Sequence, residues 1–326
     1  MAAIRADHTT ETSLPIVDIA GLRSGDAADR QRVGQAIRKA CLDKGFMYVV
    51  GHGVPATLQD AVFEESARFF AAADEVKAAV DTSHSTCYRG YEALRAQTLE
   101  AGTPPDLKEG FLIGRDLPLN HPMVLAGKFN HGPNQWPDGM PTFQSTMERY
   151  FAEMLGVGGV LMRGLALSLE LDERAFDDYL HEPVAILRLL HYPPQPANPL
   201  PNEKGCGAHT DWGAVTLLMQ DDVGGLEVWD RDKGWVPAPP IAGAYIVNIG
   251  DMVARLTNDR YHSTQHRVIN ATGRQRYSVP FFFEGNADVP VECLPNCLAP
   301  GEGPRYAPTT VEGHLREMYE RTYAEA

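Results

Sequence analysis

The second half of the chain is a succession of short apolar segments, and no other feature of the sequence constrains the fold as strongly. From residue 184 onward, runs such as AILRLLHYPP, GLEVWD and RYSVPFFFE alternate with clusters of Gly, Asn, Asp and Pro. Short apolar runs bounded by turn residues in this way are typical of an all-β sandwich or barrel. We therefore predict a double-sheet β core over residues 184–290.

Helical periodicity dominates the first half. Apolar residues recur at helical spacing over 26–45 and 57–73, and again from 141 to 180, as on one face of an amphipathic helix. No Pro-, Ser- or Gly-rich linker separates the two halves. We predict a flexible tail over 1–13 and a single domain over 14–326, which contains a helix-rich N-terminal part (14–180), the β core (184–290) and a C-terminal helix (308–326).

Charge and cysteine content narrow the classes of partner. The 326 residues carry a formal net charge of −14, which disfavours binding to nucleic acid or to an anionic membrane surface. The five cysteines form no CxxC pair, so free thiols in a reducing cytoplasm are expected. The chain has no apolar leader and no uninterrupted apolar run of the ~20 residues that cross a bilayer. The oligomeric state is left open.

One strand of the predicted core carries an imidazole and a carboxylate on a single face. His209 and Asp211 are two residues apart in GAHTDWGAVTLLMQ, and alternate residues of a strand point the same way. Either the two form a structural His–Asp pair, or they are half of a metal site. Trp212 has the opposite parity and is expected in the core.

A third ligand is available in HSTQHRVIN, which offers His262 and His266. His266 shares a face with Val268 on the predicted strand, and it is the better placed of the two histidines. Two imidazoles and one carboxylate form the ligand set of non-haem iron(II) oxygenases, because three ligands on one side leave coordination positions open. A structural zinc site would use four protein ligands, more often with thiolate.

The segment RYSVPFFFE carries a charged side chain on an otherwise apolar strand face. Arg276, Ser278, Pro280 and Phe282 share that face. A buried arginine needs an anion, and an Arg–Ser pair one strand step apart can hold a carboxylate through a guanidinium fork and a hydroxyl. The alternative is an edge-strand arginine with its guanidinium in water.

Taken together and in this order, these motifs resemble those of the isopenicillin N synthase-like family of iron(II)/2-oxoglutarate-dependent oxygenases. The resemblance covers nearly the whole chain. LPIVDIAGL and ACLDKGFMYVVGHGVP resemble the family's N-terminal segment, while GAHTDWGAVTLLMQDDVGGLEV, GDMVARLTNDRYHSTQHRV and RYSVPFFFE resemble its catalytic half.

The resemblance implies a fold class that is mainly β with flanking helices, built on a double-stranded β-helix, or jelly roll. It implies Fe(II) as the metal and places the three ligands on His209, Asp211 and His266. 2-Oxoglutarate and O2 are the implied cosubstrates, and a small organic molecule is the implied prime substrate.

The family pattern also assigns a cosubstrate site. The C5 carboxylate of 2-oxoglutarate falls on Arg276 and Ser278, with Tyr192 as a further contact. Many plant-type members have Asn where this chain has Leu190, so part of that contact is absent and the pose of 2-oxoglutarate is open. The implied substrate-pocket residues are Phe282, Tyr88, Arg89 and Phe111.

The implied activity is hydroxylation, desaturation or ring closure, with release of succinate and CO2. One alternative is an outlier of the same family, either an oxidase independent of 2-oxoglutarate or an ethylene-forming enzyme, because Arg276 and Ser278 occur in both settings. Another alternative is a jelly-roll binding protein without catalysis. The sequence does not identify the prime substrate.

Overall fold

The structure is a computed structural model that describes residues 12–323. It contains a large and a small β-sheet with helices packed around them. Residues 1–11 of the predicted tail lie outside the described range, as do residues 324–326 of the predicted C-terminal helix.

The strands are short, as the spacing of turn residues predicts. In chain order they are β1 (Ile16–Asp18), β2 (Phe46–Val50), β3 (Gly90–Glu92), β4 (Glu109–Gly114), β5 (Val184–Tyr192), β6 (Cys206–His209), β7 (Val215–Gln220), β8 (Leu226–Asp230), β9 (Gly234–Pro237), β10 (Tyr245–Ile249), β11 (His266–Val268), β12 (Arg276–Gly285), β13 (Pro290–Val291) and β14 (Thr309–Thr310).

The helices include the three predicted in the first half and the one predicted at the C-terminus. They are α1 (Ala27–Asp43), α2 (Ala56–Phe70), α3 (Asp74–Ala78), α4 (Pro122–Leu125), α5 (Pro141–Ser168), α6 (Asp177–Leu180), α7 (Asp251–Leu256) and α8 (Val311–Tyr323). The side chain of Asp26 caps the start of α1 by accepting from the backbone N–H of Ala28 at 2.9 Å. Gly45 follows the end of α1 with a φ of 66°, where glycine is favoured.

Both halves of the chain contribute to the large sheet. Its strand order is β1-β2-β10-β7-β12-β5-β4-β3, and the smaller sheet has the order β6-β11-β8-β9. The strands of the N-terminal part flank four strands of the β core, which explains why no linker separates the two parts. The irregular sequence between 83 and 140 contributes β3 and β4 to one edge.

Helix α5 covers the back of the large sheet. It is long and apolar enough to pass a length-and-composition test for a membrane span, but 56% of its most apolar window is buried inside the protein. Gly158 of this helix lies so close to Phe283 of β12 that a Cβ would come within 2.6 Å of the ring. These contacts are those of a core helix of a folded domain.

A second apolar cluster fills the space between the two sheets. It includes Phe46 and Leu190 from the large sheet and Val228 and Val268 from the small sheet. Packing of two antiparallel sheets around a shared core is the jelly-roll arrangement. One end of this layer carries the polar residues that the sequence analysis singled out.

Candidate active site

Three ligand-type side chains converge at the mouth of the jelly roll. His209 is the last residue of β6 and His266 is the first residue of β11, and the two lie opposite each other in the antiparallel register. Asp211 follows in the turn after β6. One potential ligand atom from each of the three residues lies within 4.8 Å of the others. In the described part of the chain this is the one such cluster of His, Cys, Asp or Glu.

The strand that carries His209 ends earlier than predicted. Strand β6 stops at His209, so Asp211 reaches the cluster through a turn and not through strand alternation. The backbone N–H of Asp251 donates to the Asp211 carbonyl at 2.8 Å, and the Asn248 amide donates to the Asp211 carboxylate at 2.6 Å. These bonds fix the carboxylate toward the two imidazoles.

The distances separate the two interpretations of the His–Asp pair. The Nε2 atoms of His209 and His266 each lie 3.7 Å from Oδ1 of Asp211, which is too long for a hydrogen bond. A structural pair would be in direct contact, whereas ligands of one metal surround a space. The geometry therefore favours a metal site.

Backbone contacts orient both imidazoles with Nε2 toward that space. Nδ1 of His209 lies 2.8 Å from the Gly207 carbonyl, and Nδ1 of His266 lies 3.3 Å from the Thr264 carbonyl. A proton on Nδ1 satisfies each contact and leaves a lone pair on Nε2, which is the usual arrangement of a metal-ligating histidine.

Electrostatics keep these groups in the protonation states that ligation needs. Burial and the neighbouring His209 lower the pKa of His266 to about 4, so its imidazole is neutral near pH 7. Burial opposes ionisation of Asp211, but the facing histidines outweigh this effect and lower its pKa. Two imidazoles and a carboxylate on one side of a space fit Fe(II) with open coordination positions.

Next to the cluster lies a fully buried guanidinium. Arg276 has 0% of its surface exposed, and β12 is an interior strand paired with β5 and β7. The edge-strand alternative for Arg276 is therefore wrong. Its Nε donates to the Gly224 carbonyl at 2.6 Å, and its Nη1 donates to Oγ of Ser278 at 3.2 Å.

No carboxylate within residues 12–323 lies at ion-pair distance from Arg276, and the charge of Arg276 acts on Asp221 only over a longer distance. Tyr192 lies opposite it on β5, with the guanidinium 4.7 Å from the centre of the phenol ring. A buried cation that lacks an ion-pair partner is costly unless an anion is supplied. The arrangement can therefore accept a carboxylate ligand.

Arg276, Ser278 and Tyr192 line one cavity, the candidate cosubstrate cavity, whose wall also contains residues that bear on the missing Asn contact. Leu190 faces the cavity as expected from its position on β5, opposite Ser278. Lys108 also lines the cavity, and the sequence analysis missed it. Its buried ammonium pairs with Asp106 and lies 3.6 Å from Sγ of Cys206. Lys108 directly precedes β4, a strand that the sequence did not predict, so no strand pattern was available to indicate the direction or the burial of its side chain.

A second cavity of about 120 Å³ lies on the other side of His209 and Asp211. Trp212 packs against the apolar core, as predicted, but it also lines this cavity. The strand parity on which that prediction depended does not apply, because β6 ends before Trp212. Tyr319 of α8 forms another wall, with its ring centre 6.5 Å from that of Trp212.

Two of the four predicted pocket residues line this second cavity, the candidate substrate cavity, and two do not. Tyr88 and Phe282 border it. Arg89 is instead a buried structural residue, whose guanidinium donates to the carbonyls of Cys87 at 2.8 Å and Asn130 at 2.6 Å.

Phe111 belongs to the core. It has 0% exposure and packs against Phe69 and Phe143, at ring-centre distances of 4.7 and 5.2 Å. Its side chain points to the face of β4 that is covered by helices, whereas Leu112, the next residue, points into the cavity. Strand alternation separates the two.

Glu284 is a pocket residue that the sequence analysis missed. It borders the substrate cavity two positions after Phe282, on the same face of β12, and this parity was the available signal. Burial, with the negative Asp211 nearby, raises the pKa of its carboxyl to about 8.

The sequence matches two family descriptions that together cover most of the chain. Residues 14–139 match the N-terminal region of non-haem dioxygenases of morphine synthesis, and residues 183–285 match the 2OG-Fe(II) oxygenase superfamily.

Relatives match over nearly their full length. The 2-oxoglutarate-Fe(II) type oxidoreductase hxnY of Emericella nidulans is 44% identical, with 97% of this chain and 92% of that protein covered. The 2-oxoglutarate-dependent dioxygenase citB of Monascus ruber is 41% identical, with 95% of each covered.

Solved structures agree. The crystal structure of a full-length Neurospora crassa protein in complex with alpha-KG and thymine superposes with a TM-score of 0.81 at 29% identity, covering 96% of this chain and 97% of that one. The chain therefore belongs to the isopenicillin N synthase-like family of 2OG-Fe(II) oxygenases, which are non-haem dioxygenases that use iron(II), 2-oxoglutarate and O2.

Proposed function

We propose that this dioxygenase holds its iron(II) through His209, Asp211 and His266 and hydroxylates a small aromatic or heteroaromatic molecule. We further propose that the distal carboxylate of 2-oxoglutarate binds between Arg276 and Ser278, against the ring of Tyr192. The observation that carries this proposal is the fully buried Arg276 guanidinium, which has no acidic counter-ion within residues 12–323 and lies beside the three ligand-type side chains.

When bound, the iron supplies the oxidising chemistry that couples C–H cleavage to conversion of 2-oxoglutarate and O2 into succinate and CO2. The protein residues act by position. His209 and His266 present neutral Nε2 atoms because their Nδ1 protons are held by backbone carbonyls. Arg276 orients the cosubstrate through charge-assisted hydrogen bonds, and the apolar walls exclude water from the reacting groups.

The substrate class follows from the walls of the second cavity. Trp212, Phe282, Tyr88 and Tyr319 surround the space above His209 and Asp211, and aromatic rings pack well against a flat ring. Thymine, the compound in the Neurospora crassa complex, is such a ring. Hydroxylation is proposed over desaturation or ring closure because it needs a single C–H cleavage.

We also propose a cytoplasmic location with no nucleic acid or membrane partner. All five cysteines are free, as expected in a reducing compartment, and the net charge of −14 disfavours polyanions.

The test is stoichiometric. Purified protein is reconstituted with Fe(II) and 2-oxoglutarate, and succinate, O2 and headspace ethylene are measured while aromatic candidates are screened. We expect one succinate per O2 consumed, stimulation by the true substrate and no ethylene. Oxygen consumption without succinate would indicate the 2-oxoglutarate-independent alternative, and ethylene would indicate the other outlier.

The ligand assignment is tested separately by metal content. His209→Ala and Asp211→Ala are expected to lose bound iron and turnover. His262→Ala is the matched control, because His262 lies outside the cluster, against Arg231 at 3.2 Å, and should retain both. Full activity in the first two variants would refute the assignment.

A further inference from the structure

Glu284 lies near the end of β12, on the strand face that also carries Arg276, Ser278 and Phe282. Phe282 borders both the cosubstrate cavity and the substrate cavity, whereas Glu284 borders only the substrate cavity. Strand β12 therefore contributes side chains to both the cosubstrate site and the substrate site, and Glu284 is the last of these residues along the strand.

The Glu284 carboxyl group carries a buried oxygen without a partner. The residue is 6% exposed, and no group in the described part of the chain forms a hydrogen bond with its Oε2. A buried polar group that lacks a partner is costly, and nearly all such groups in native proteins are satisfied. Oε2 itself packs against the turn at Gly213, so a ligand in the cavity would donate its hydrogen bond to the part of the carboxyl group that borders the cavity.

The neighbouring turn is shaped to leave room for this carboxyl group. Gly213 does not have a positive φ, so its backbone does not require glycine. A Cβ at this position would instead lie 1.4 Å from Oε2 of Glu284. Any other residue at position 213 would displace the Glu284 carboxyl group. The glycine therefore allows this carboxyl group to pack against the turn that carries Asp211.

The rest of the cavity is suited to a flat apolar body. The rings of Tyr88 and Tyr319 lie 4.2 Å apart, centre to centre, and join Trp212 and Phe282 around the space. An acidic group at one end of an aromatic cavity fixes the orientation of a ligand, as the few polar groups of small-molecule sites generally do.

We propose that Glu284 recognises the prime substrate through a hydrogen bond from an N–H or O–H group, and that this substrate is a small aromatic or heteroaromatic ring carrying such a donor. The inference rests on the proposed function, because it takes the cavity above His209 and Asp211 as the substrate site.

The test compares probes that differ only in the donor. Thymine is paired with 1,3-dimethylthymine, and 4-methylphenol with 4-methylanisole. Binding to the full-length protein loaded with Mn(II) and 2-oxoglutarate is measured by calorimetry without oxygen. For at least one pair, we expect the donor-bearing member to bind about 10-fold more tightly to the unaltered protein.

Two variants separate hydrogen bonding from shape. Glu284→Met keeps the approximate volume and removes the acceptor, so the preference should fall to within about 2-fold. Glu284→Gln retains a carbonyl acceptor in the same place and should keep most of the preference. If the added methyl group were simply too large for the cavity, the preference would persist in Glu284→Met.

Stability provides an independent readout. Because Glu284→Met removes an unpaired buried carboxyl oxygen, its Tm should equal or exceed that of the unaltered protein, whereas a structural role for Glu284 would lower it. The proposal is wrong if no donor-bearing probe binds more tightly than its methylated partner, or if Glu284→Met keeps the preference. Failure of the unaltered protein to bind 2-oxoglutarate would overturn the proposed function and, with it, this inference. Normal binding of 2-oxoglutarate without a preference for the donor-bearing probe would overturn this inference alone.

Discussion

Replacing Arg276 with methionine should remove 2-oxoglutarate binding while sparing the fold. The guanidinium is fully buried and has no acidic counter-ion within residues 12–323, so in the proposed complex the carboxylate of the cosubstrate becomes its counter-ion. Removing one partner of a buried, hydrogen-bonded charge pair costs about 2–5 kcal/mol. That loss corresponds to roughly a 30-fold to several-thousand-fold weaker Kd.

The same substitution should have little effect on the stability of the apoprotein. Without 2-oxoglutarate, Arg276 is a buried charge compensated by neutral groups, namely Gly224, Ser278 and Gln220. Its removal loses these hydrogen bonds but also removes the cost of burying a charge. We therefore expect the Tm of the apoprotein to change little, and the rise in Tm caused by 2-oxoglutarate to disappear.

Calorimetric titration of the Mn(II)-loaded protein with 2-oxoglutarate measures the first effect, and thermal unfolding with and without cosubstrate measures the second. Arg274→Met is the matched control, because Arg274 pairs with Asp222 on the surface and should not affect binding. A Kd for Arg276→Met within about 3-fold of the original value would refute the reasoning, since such a difference is well below the cost expected for a buried pair.

Three further substitutions test other parts of the structure. Burial lowers the pKa of His52, and its Nδ1 accepts a hydrogen bond from the N–H of Val54 at 3.1 Å, so the native state disfavours the charged imidazole. The free energy of unfolding should therefore fall as the pH drops below about 6.5, the pKa of histidine in the unfolded chain. In His52→Asn, the loss of Tm between pH 7 and pH 5 should be smaller, and an unchanged loss would contradict this. Gly213→Ala forces a Cβ against the Glu284 carboxyl group and should lower the free energy of unfolding by about 1–3 kcal/mol. In a double-mutant cycle, adding Glu284→Ala should relieve most of that loss. Additive effects of the two substitutions would argue against the contact. Arg89→Met leaves the carbonyls bonded to Arg89 without a donor, so the Tm should fall by the equivalent of about 1–3 kcal/mol while the Kd for 2-oxoglutarate stays unchanged. An unchanged Tm would contradict the structural role of Arg89.

Local sequence patterns predicted most of the elements. The helix expected over 26–45 is found at Ala27–Asp43. Both boundaries follow from local chemistry, because Asp26 caps the helix and Gly45 ends it. The strands β3 and β4 were not predicted, because each is short and pairs with residues distant in the chain.

The sequence alone also determined the chemical types at the site. His209, Asp211 and His266, followed by Arg276 and Ser278, are recognisable because ligand chemistry and spacing along strands are local properties. Alternation correctly predicted that Arg276, Ser278 and Phe282 share one face of β12, because the pairing of this strand with β5 keeps one register from Arg276 to Phe283 and shifts only after it.

Only the tertiary structure decided which other side chains face the site. Trp212 lines the cavity because β6 ends three residues before it, and a pattern of alternation cannot show where a strand stops. Phe111 is in the core because helices cover its face of β4. The burial of Glu284 and the absence of a counter-ion for Arg276 depend on every element packed around them, so neither can be read from neighbouring residues in the chain.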